Sequence, residues 1–245
     1  MNADSATQAR LLDLQAADTN LSQLAHRRRT LPELAAIAER NKNAEAVHNE
    51  VIDAQTEVAD IELEQRRLEN DVDAVRTRAA RDEARMQAGG LPSRELESIQ
   101  HEIVTLARRQ STLEDELLDV MERAEDAATT LTDATARHDA IQAERAELEA
   151  KRDAAFAEID AAAAERTPQR AALAESIPSE LLALYEKARA HGGNGAALLR
   201  QRQCSGCRIE LSGSDLGAVR KADPETIVRC DNCRAILVRT AESGL

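Results

Sequence analysis

Apolar side chains recur at alternating spacings of three and four residues over much of the chain. A first series covers residues 44–86 and is interrupted only by Gln65 and Asp82. A second series covers residues 96–159 and becomes more polar in its later half. Sustained three-four spacing is the heptad pattern of helices that pack along a seam. The sequence therefore predicts a mainly α protein built on two long helices.

The turn between the two series is marked by two glycines and a proline at residues 89–93. These residues break a helix, and Ser93 is a suitable cap for the next one. A short loop between two heptad helices predicts an antiparallel coiled-coil hairpin, in a register that places Ala44 opposite His138. A globular bundle of three or four helices is the alternative interpretation.

The first helical region contains a second interruption at residues 30–33. Thr30 and Glu33 fit a capping box, and Pro32 fits the first turn of a helix. We expect a kink or a restarted helix here, not a domain boundary. The second arm of the hairpin is expected to end before Pro168. The coiled-coil domain is assigned to residues 1–175.

A short connecting segment follows at residues 176–195. Residues 180–190 predict a helix that ends in a glycine-rich turn. Tyr185 is expected to pack this helix against the base of the hairpin. Residues 196–245 are assigned to a small β domain, with strands at 196–203, 226–229 and 235–239. A helix over residues 211–221 is expected to be capped by Ser212 or Ser214.

Two Cys-x-x-Cys pairs contain every cysteine of the chain, and they are Cys204, Cys207, Cys230 and Cys233. Four thiolates complete a tetrahedral zinc site with no open position for water, so this pattern predicts one structural Zn²⁺ and no metal catalysis. Iron, redox chemistry and two disulfides are the alternatives. Gly206 and Asn232 are expected to supply left-handed backbone in the two turns.

The composition restricts the class of protein further. The chain has one Phe, one Tyr and no Trp, which argues against a large globular core. It carries a net charge of −13 and no apolar run long enough to cross a bilayer, so we expect a soluble cytoplasmic protein. Its five histidines are scattered and are expected at surface or seam positions. No catalytic triad or phosphate loop is present, and we expect neither enzymatic activity nor a small-molecule substrate.

Several motifs together resemble a known family, the bacterial C4-type zinc-ribbon domain proteins, long grouped as proteins of unknown function. The resemblance covers essentially the whole chain, but its specific part is residues 177–238. It implies a coiled-coil hairpin with a C-terminal zinc ribbon, nucleic-acid binding and regulatory roles. Characterised relatives act on flagellar or secretion systems through RNA or an alternative sigma factor. The motifs are Ile-Pro-Ser-Glu-Leu-Leu-Ala-Leu-Tyr at 177–185, Cys204-x-x-Cys207-x-Ile209-x-Leu211, and Val228-Arg229-Cys230-x-x-Cys233-x-x-Ile236-Leu237.

The chain departs from this family at Arg208 and Arg234, where such ribbons often carry glycine. Each of these arginines directly follows the second cysteine of a pair, so the departure concerns the geometry of the two turns.

Two functions are consistent with these features. The first is a DNA- or RNA-binding regulatory protein whose ribbon contacts phosphates. Within residues 200–245, eight basic side chains stand against six acidic ones, so a local basic surface is available. No aromatic side chain there offers a stacking platform for single strands. The candidate contacts are Arg200, Arg202, Arg229, Arg234 and Arg239.

The second function is an adaptor whose hairpin tip binds a protein related to transcription or secretion. Basic side chains outnumber acidic ones near the tip, and they are Arg76, Arg78, Arg81, Arg85 and Arg94. A transcript-cleavage factor that holds Mg²⁺ at such a tip is not supported, because residues 85–94 contain no acidic side chain.

Overall fold

The computed structural model describes residues 1–245 and is dominated by three long helices. None of its helices combines the length and the apolar character needed to span a bilayer. The helices are α1 (Ser5–Arg29), α2 (Pro32–Ala88), α3 (Ser93–Glu175), α4 (Ser179–Gly192) and α5 (Gly213–Lys221), followed by a 3₁₀ turn at Ala241–Ser243.

One small sheet occupies the C-terminal region. Its four strands lie in the order β2-β1-β4-β3. The central strands β1 and β4 run parallel, and each has an antiparallel neighbour at the sheet edge. The strands are β1 (Ala196–Arg200), β2 (Gln203–Cys204), β3 (Val228–Arg229) and β4 (Ile236–Val238).

The chain forms two compact units, and their boundaries differ from those of the three segments predicted from the sequence. Residues 33–150 form one unit, called here the hairpin unit. Residues 1–32 and 151–245 form the other, called here the ribbon unit. The N-terminal helix α1 therefore shares a unit with the C-terminal sheet, although the two lie at opposite ends of the sequence.

The buried positions of the hairpin unit follow the heptad pattern closely. Every predicted seam position of α2 over residues 44–86 is buried or half-buried, and every other residue in that range is exposed. The predicted seam positions of α3 are likewise all buried or half-buried. Ile61, Val120 and Ala127 form a buried cluster in this unit, with Val58, Leu68 and Ala124 packed against it. The prediction of a long antiparallel helical hairpin is confirmed.

Ion pairs between α2 and α3 flank this seam. The Arg137 guanidinium lies 2.8 Å from Glu50, and Arg123 lies 3.0 Å from Glu64. All these side chains are at least 46% exposed, so each pair contributes on the order of 1 kcal/mol or less. The apolar seam therefore dominates the stability of this unit. Further pairs are Arg40–Glu144, Arg76–Glu114, Arg78–Glu102 and Arg85–Glu95.

The helix ends differ in detail from the expected caps. Gly89 and Gly90 have φ values of 72° and 82°, as a tight break requires. Ser93 is the first residue of α3 and not its cap, because the N–H of Leu96 donates to the carbonyl of Pro92. Pro32 does begin α2.

The expected capping box at residues 30–33 does not form. The Thr30 hydroxyl donates to the carbonyl of His26, so it closes the end of α1 instead of opening α2. The helix is therefore interrupted and restarted at Pro32, as expected, without the reciprocal bonds between Thr30 and Glu33.

The expectation that the second arm ends before Pro168 is wrong. Helix α3 passes through Pro168 and ends only at Glu175. An interior proline costs a helix about 3 kcal/mol. The residues beyond it offset this cost, because Arg170 pairs with Asp18 of α1 and Ala174 is buried in the core of the ribbon unit.

The core of the ribbon unit joins helices from both ends of the chain to the sheet. Leu11 and Leu14 of α1 are fully buried and belong to the same cluster as Leu181 and Tyr185 of α4. Ala196 of β1 and Ile236 of β4 complete this cluster from the sheet side. The ribbon thus buries part of its sheet against helices and does not depend only on its own side chains.

A buried polar cluster lies beside this core. Asp18 is only 3% exposed, and its carboxylate accepts bonds from Arg170 at 3.1 Å and from the Tyr185 hydroxyl at 2.7 Å. Arg189 of α4 approaches the same carboxylate to 3.2 Å. Burial, assisted by Asp18, raises the pKa of Tyr185 well above its usual range, so its hydroxyl keeps its proton. The prediction that Tyr185 packs α4 against the base of the hairpin helices is confirmed.

The strand predicted over residues 196–203 is broken by a turn. Gln201 and Arg202 have φ values of 47° and 66°, which is the left-handed pair of a two-residue hairpin turn. Asn and Gly usually occupy such turns, and neither is present here. The C-terminal segment holds the turn instead, because the N–H groups of Gln201 and Arg202 donate to the carbonyls of Glu242 and Ser243 at 2.9 Å.

Replacing Asp18 with Ala should destabilise the ribbon unit by about 1–3 kcal/mol, because it removes the buried carboxylate that Tyr185, Arg170 and Arg189 share, while Glu186 still pairs with the two arginines. Asp13→Ala is the matched control, since Asp13 is exposed on the same helix. Urea unfolding of both variants measures the difference. Equal stability of the two variants would show that the buried cluster contributes nothing specific.

Candidate zinc centre and basic groove

The two cysteine pairs form two turns with the same backbone hydrogen bonds. The N–H of Arg208 donates to the carbonyl of Cys204 at 2.8 Å, and that of Arg234 donates to Cys230 at 2.8 Å. The N–H of Cys204 in turn donates to Ile209, and that of Cys230 to Ala235. Each pair is therefore a closed turn that presents two sulfur atoms on one side.

The left-handed residues of these turns are not the ones expected. Gly206 and Asn232 do not have positive φ, whereas Arg208 and Arg234 have φ values of 61° and 65°. These are the two arginines that directly follow the second cysteine of each pair. Left-handed backbone costs a residue with a Cβ about 1–2 kcal/mol, so both turns are strained by their own sequence.

The four sulfur atoms converge on one point. The Sγ atoms of Cys204 and Cys233 lie 3.8 Å apart, as do those of Cys207 and Cys230. All four sulfurs lie within 4.8 Å of one another. A tetrahedral ion with Zn–S bonds of about 2.3 Å requires sulfur separations of about 3.8 Å. The donor set and its spacing therefore fit one zinc ion.

The surroundings of the sulfurs also favour a bound cation. Cys204 and Cys230 are buried with Ala197, Ala235 and Leu237 in a small apolar cluster. Burial raises the pKa of the Cys204 thiol, and backbone N–H groups of the turn oppose that shift. A buried thiolate needs a positive partner, which a zinc ion supplies.

A basic groove lies beside the second cysteine turn. It has a volume of about 520 Å³ and is lined by Lys187, Ala188, Ala190 and His191 of α4 together with Arg229 and Arg234. No acidic side chain lines it. Both arginines were predicted from the sequence, whereas Lys187 and His191 were missed because they lie about 40 residues earlier.

Close approach of α4 to the second cysteine turn forms this groove. A Cβ atom added to Gly192 would lie 2.7 Å from the carbonyl oxygen of Cys233. Only glycine therefore allows the end of α4 to reach the turn. The backbone at Cys233 sets the position of Arg234, so the metal centre and the groove share one segment.

Three of the five predicted nucleic-acid contacts lie elsewhere. Arg200 pairs with Glu242 at 3.2 Å, and Arg202 sits in the left-handed turn after β1, so the two do not lie on one strand. Arg239 donates to five backbone carbonyls, including those of Val219 and Thr226. It closes the end of α5 and is a structural residue.

The predicted basic tip is largely neutralised. Arg76, Arg78 and Arg85 each pair with a glutamate of α3. Of the five tip arginines, only Arg81 and Arg94 have no carboxylate within ion-pair distance. The excess of positive charge expected there is therefore reduced to two side chains.

A helical hairpin with a four-cysteine ribbon defines the class as a C4-type zinc-ribbon protein. Residues 14–193 match the family described as the CT398-like coiled coil hairpin domain, and residues 203–237 match the C4-type zinc ribbon domain. The chain belongs to the CT398-like coiled-coil hairpin family, as the sequence resemblance predicted.

Related proteins cover the chain from end to end. An uncharacterized protein of Mycobacterium tuberculosis H37Rv is 38% identical over 242 residues, which is 98% of both chains. A solved structure from Mycobacterium smegmatis is 36% identical and has a TM-score of 0.89, covering 98% of this chain and 100% of that one. The structure of CT398 from Chlamydia trachomatis is 20% identical with a TM-score of 0.71, covering 96% and 99%. This last likeness shows the shared fold alone.

Zinc analysis of the purified protein, after dialysis against a weak chelator to remove ions held by few ligands, should give one ion per chain, and Cys204→Ser or Cys230→Ser should lose it. Acidification from about pH 8 to about pH 5 should release the ion, because protons compete for the thiolates. A zinc-sensitive dye measures the release. Retention of a full equivalent of zinc by Cys204→Ser would contradict the four-cysteine site.

Replacing Arg208 with Gly should stabilise the zinc-loaded ribbon by about 1 kcal/mol, because it relieves a left-handed residue. Arg220→Gly should instead destabilise it by about 1 kcal/mol, since Arg220 lies inside α5. Thermal unfolding of both variants tests the sign. Destabilisation by Arg208→Gly would mean that the arginine side chain contributes more than the backbone strain costs.

Proposed function

We propose that this protein is a non-enzymatic, nucleic-acid-binding regulatory protein, and that the basic groove of the ribbon unit contacts the phosphate backbone. The groove brings Lys187, His191, Arg229 and Arg234 to one surface with no acidic side chain among them. That is the observation on which the proposal depends.

The charges in the groove are not used by the fold. None of its basic side chains has a carboxylate within ion-pair distance, in contrast to Arg200, Arg170 and Arg189 nearby. Lys187, Arg229 and Arg234 are exposed. Free, closely spaced cations on an otherwise acidic protein favour a polyanionic partner.

The groove offers charge but no aromatic side chain. Its remaining lining residues are Ala188 and Ala190, so neither base stacking nor extended base reading is supported there. Contacts to phosphate position a strand without selecting its sequence. We therefore expect nucleic-acid binding by this surface alone to depend strongly on salt and weakly on sequence.

Reduced thiolates at the zinc site are consistent with action in the cytoplasm.

The adaptor function remains the alternative, with the hairpin as the contact. Exposed large apolar side chains in the hairpin unit favour it, notably Ile52, Leu63 and Leu118, which are 45–61% exposed. The basic hairpin tip proposed as the adaptor contact retains only Arg81 and Arg94 without an acidic partner.

Fluorescence anisotropy with labelled single-stranded RNA, single-stranded DNA and duplex DNA tests the proposal across a salt series. The double variant Lys187→Ala with Arg229→Ala should bind more weakly, and its salt slope should fall by about one for each residue removed. Both side chains are exposed, so the variant should fold normally.

The matched control is Arg220→Ala with Lys221→Ala, which removes the same charge from exposed positions of α5 in the same unit. It should bind nearly as wild type does. Equal weakening by the two double variants would mean that total charge, and not the groove, determines binding. Absence of binding by the wild-type protein at moderate salt would favour the adaptor function.

A further inference from the structure

Two histidines, one from each long helix, lie side by side in the hairpin unit. His48 of α2 and His138 of α3 have ring centroids 5.6 Å apart, and their planes are tilted by 41°. His138 was predicted to lie opposite Ala44, one helical turn away. Ala44 and Ala134, one helical turn before each histidine, are small and buried.

Both ring nitrogens of His138 have a polar neighbour, and the one at Nε2 is within hydrogen-bond distance. Its Nδ1 lies 3.5 Å from a carboxylate oxygen of Asp139, and its Nε2 lies 3.2 Å from the Gln142 side-chain nitrogen. An amide N–H can only donate, so Nε2 accepts and the proton of the neutral ring belongs on Nδ1. A carboxylate behind Nδ1 and a lone pair on Nε2 are the arrangement found in metal-ligating histidines.

The separation of the two rings suits a shared ion. Imidazole nitrogens bind such ions at about 2.0–2.1 Å. If the nitrogen–metal–nitrogen angle is tetrahedral or somewhat wider, the centroids of two ligand rings lie roughly 5–6 Å apart. The observed 5.6 Å falls in this range. His48 is exposed and His138 is half-buried, so an ion can enter from solvent and keep water at its remaining positions.

We propose that His48 and His138 form a second metal site, separate from the cysteine centre, that takes a divalent transition metal of the Zn²⁺, Ni²⁺ or Cu²⁺ type. Imidazole is a suitable ligand for these ions, whereas the thiolates of the cysteine centre are softer ligands. One ligand comes from each helix, so a bound ion clamps α2 to α3 across the seam. Nε2 of His138 exchanges its bond from Gln142 for the bond to the metal.

Isothermal titration of untagged, zinc-loaded full-length protein with NiCl₂ tests this site. The wild-type protein should bind one Ni²⁺ per chain with an unchanged zinc content. Loss of a residue that only hydrogen-bonds to a metal ligand weakens metal binding by roughly 10–100-fold. His48→Asn and His138→Asn each remove a ligand itself, so each should weaken Ni²⁺ binding by more than that. Ni²⁺ should also raise the melting temperature of the wild-type protein and not that of these variants.

His101→Asn is the matched control, because His101 is an exposed histidine of α3 in the same unit and has no second histidine facing it. It should leave Ni²⁺ binding unchanged. Unchanged binding in His48→Asn or His138→Asn, or equal loss in His101→Asn, would overturn the proposal.

Gln142→Ala provides an independent test, because it keeps both histidines and removes the amide that competes for Nε2. It should bind Ni²⁺ more tightly than the wild-type protein does. Weaker binding would overturn the assignment of Nε2 as the ligand atom.

Discussion

One ion shared by four thiolates is the constraint on which the C-terminal region depends. The two cysteine turns are separated by 22 residues, and the strands of the sheet that carries them are only two to five residues long. So little apolar surface cannot stabilise a fold alone. The cluster around the sulfurs consists of Ala197, Ala235 and Leu237 with the cysteines themselves. The metal therefore replaces the aromatic core that the sequence lacks.

The rest of the ribbon unit supports the sheet from the helical side. Tyr185, the single tyrosine of the chain, sits where α1, α4 and the sheet meet, and its ring lies only 2.4 Å from the position of a Cβ at Gly195. Its hydroxyl reaches the buried Asp18, which also receives Arg170 and Arg189. Apolar burial and a satisfied polar cluster thus act at one junction. The same contacts hold α4, whose last residue, Gly192, lies against the backbone of Cys233 beside the groove.

The sequence predicts the features that are periodic or local. The seam over residues 44–86 is specified by residue spacing, and the cysteine spacing specifies the metal site before any coordinates are known. The end of α3 could not be predicted, because the cost of Pro168 is offset by the contact of Arg170 with Asp18, which lies 152 residues before that arginine in the chain.

The turn at Gln201 and Arg202 and the basic groove could not be predicted for the same reason, because each depends on contacts between segments that are distant in the chain. Neither residue of the turn carries a left-handed signal, and backbone bonds from the C-terminal segment hold it. The groove joins Lys187 and His191 to Arg229 and Arg234 through the close approach at Gly192. A charge count along the chain treats all exposed arginines alike, whereas the structure separates the free ones from Arg239, which is bound to backbone carbonyls.

The central claim is that the zinc-held turn and α4 together present free cations to nucleic acid. Arginine-specific modification with a dicarbonyl reagent, read by mass spectrometry with and without bound RNA, tests it most directly. The account predicts that RNA protects Arg229 and Arg234 and leaves Arg220 and Arg81 as reactive as before. Protection of Arg81 and Arg94 instead, or of no arginine in the ribbon, would contradict it.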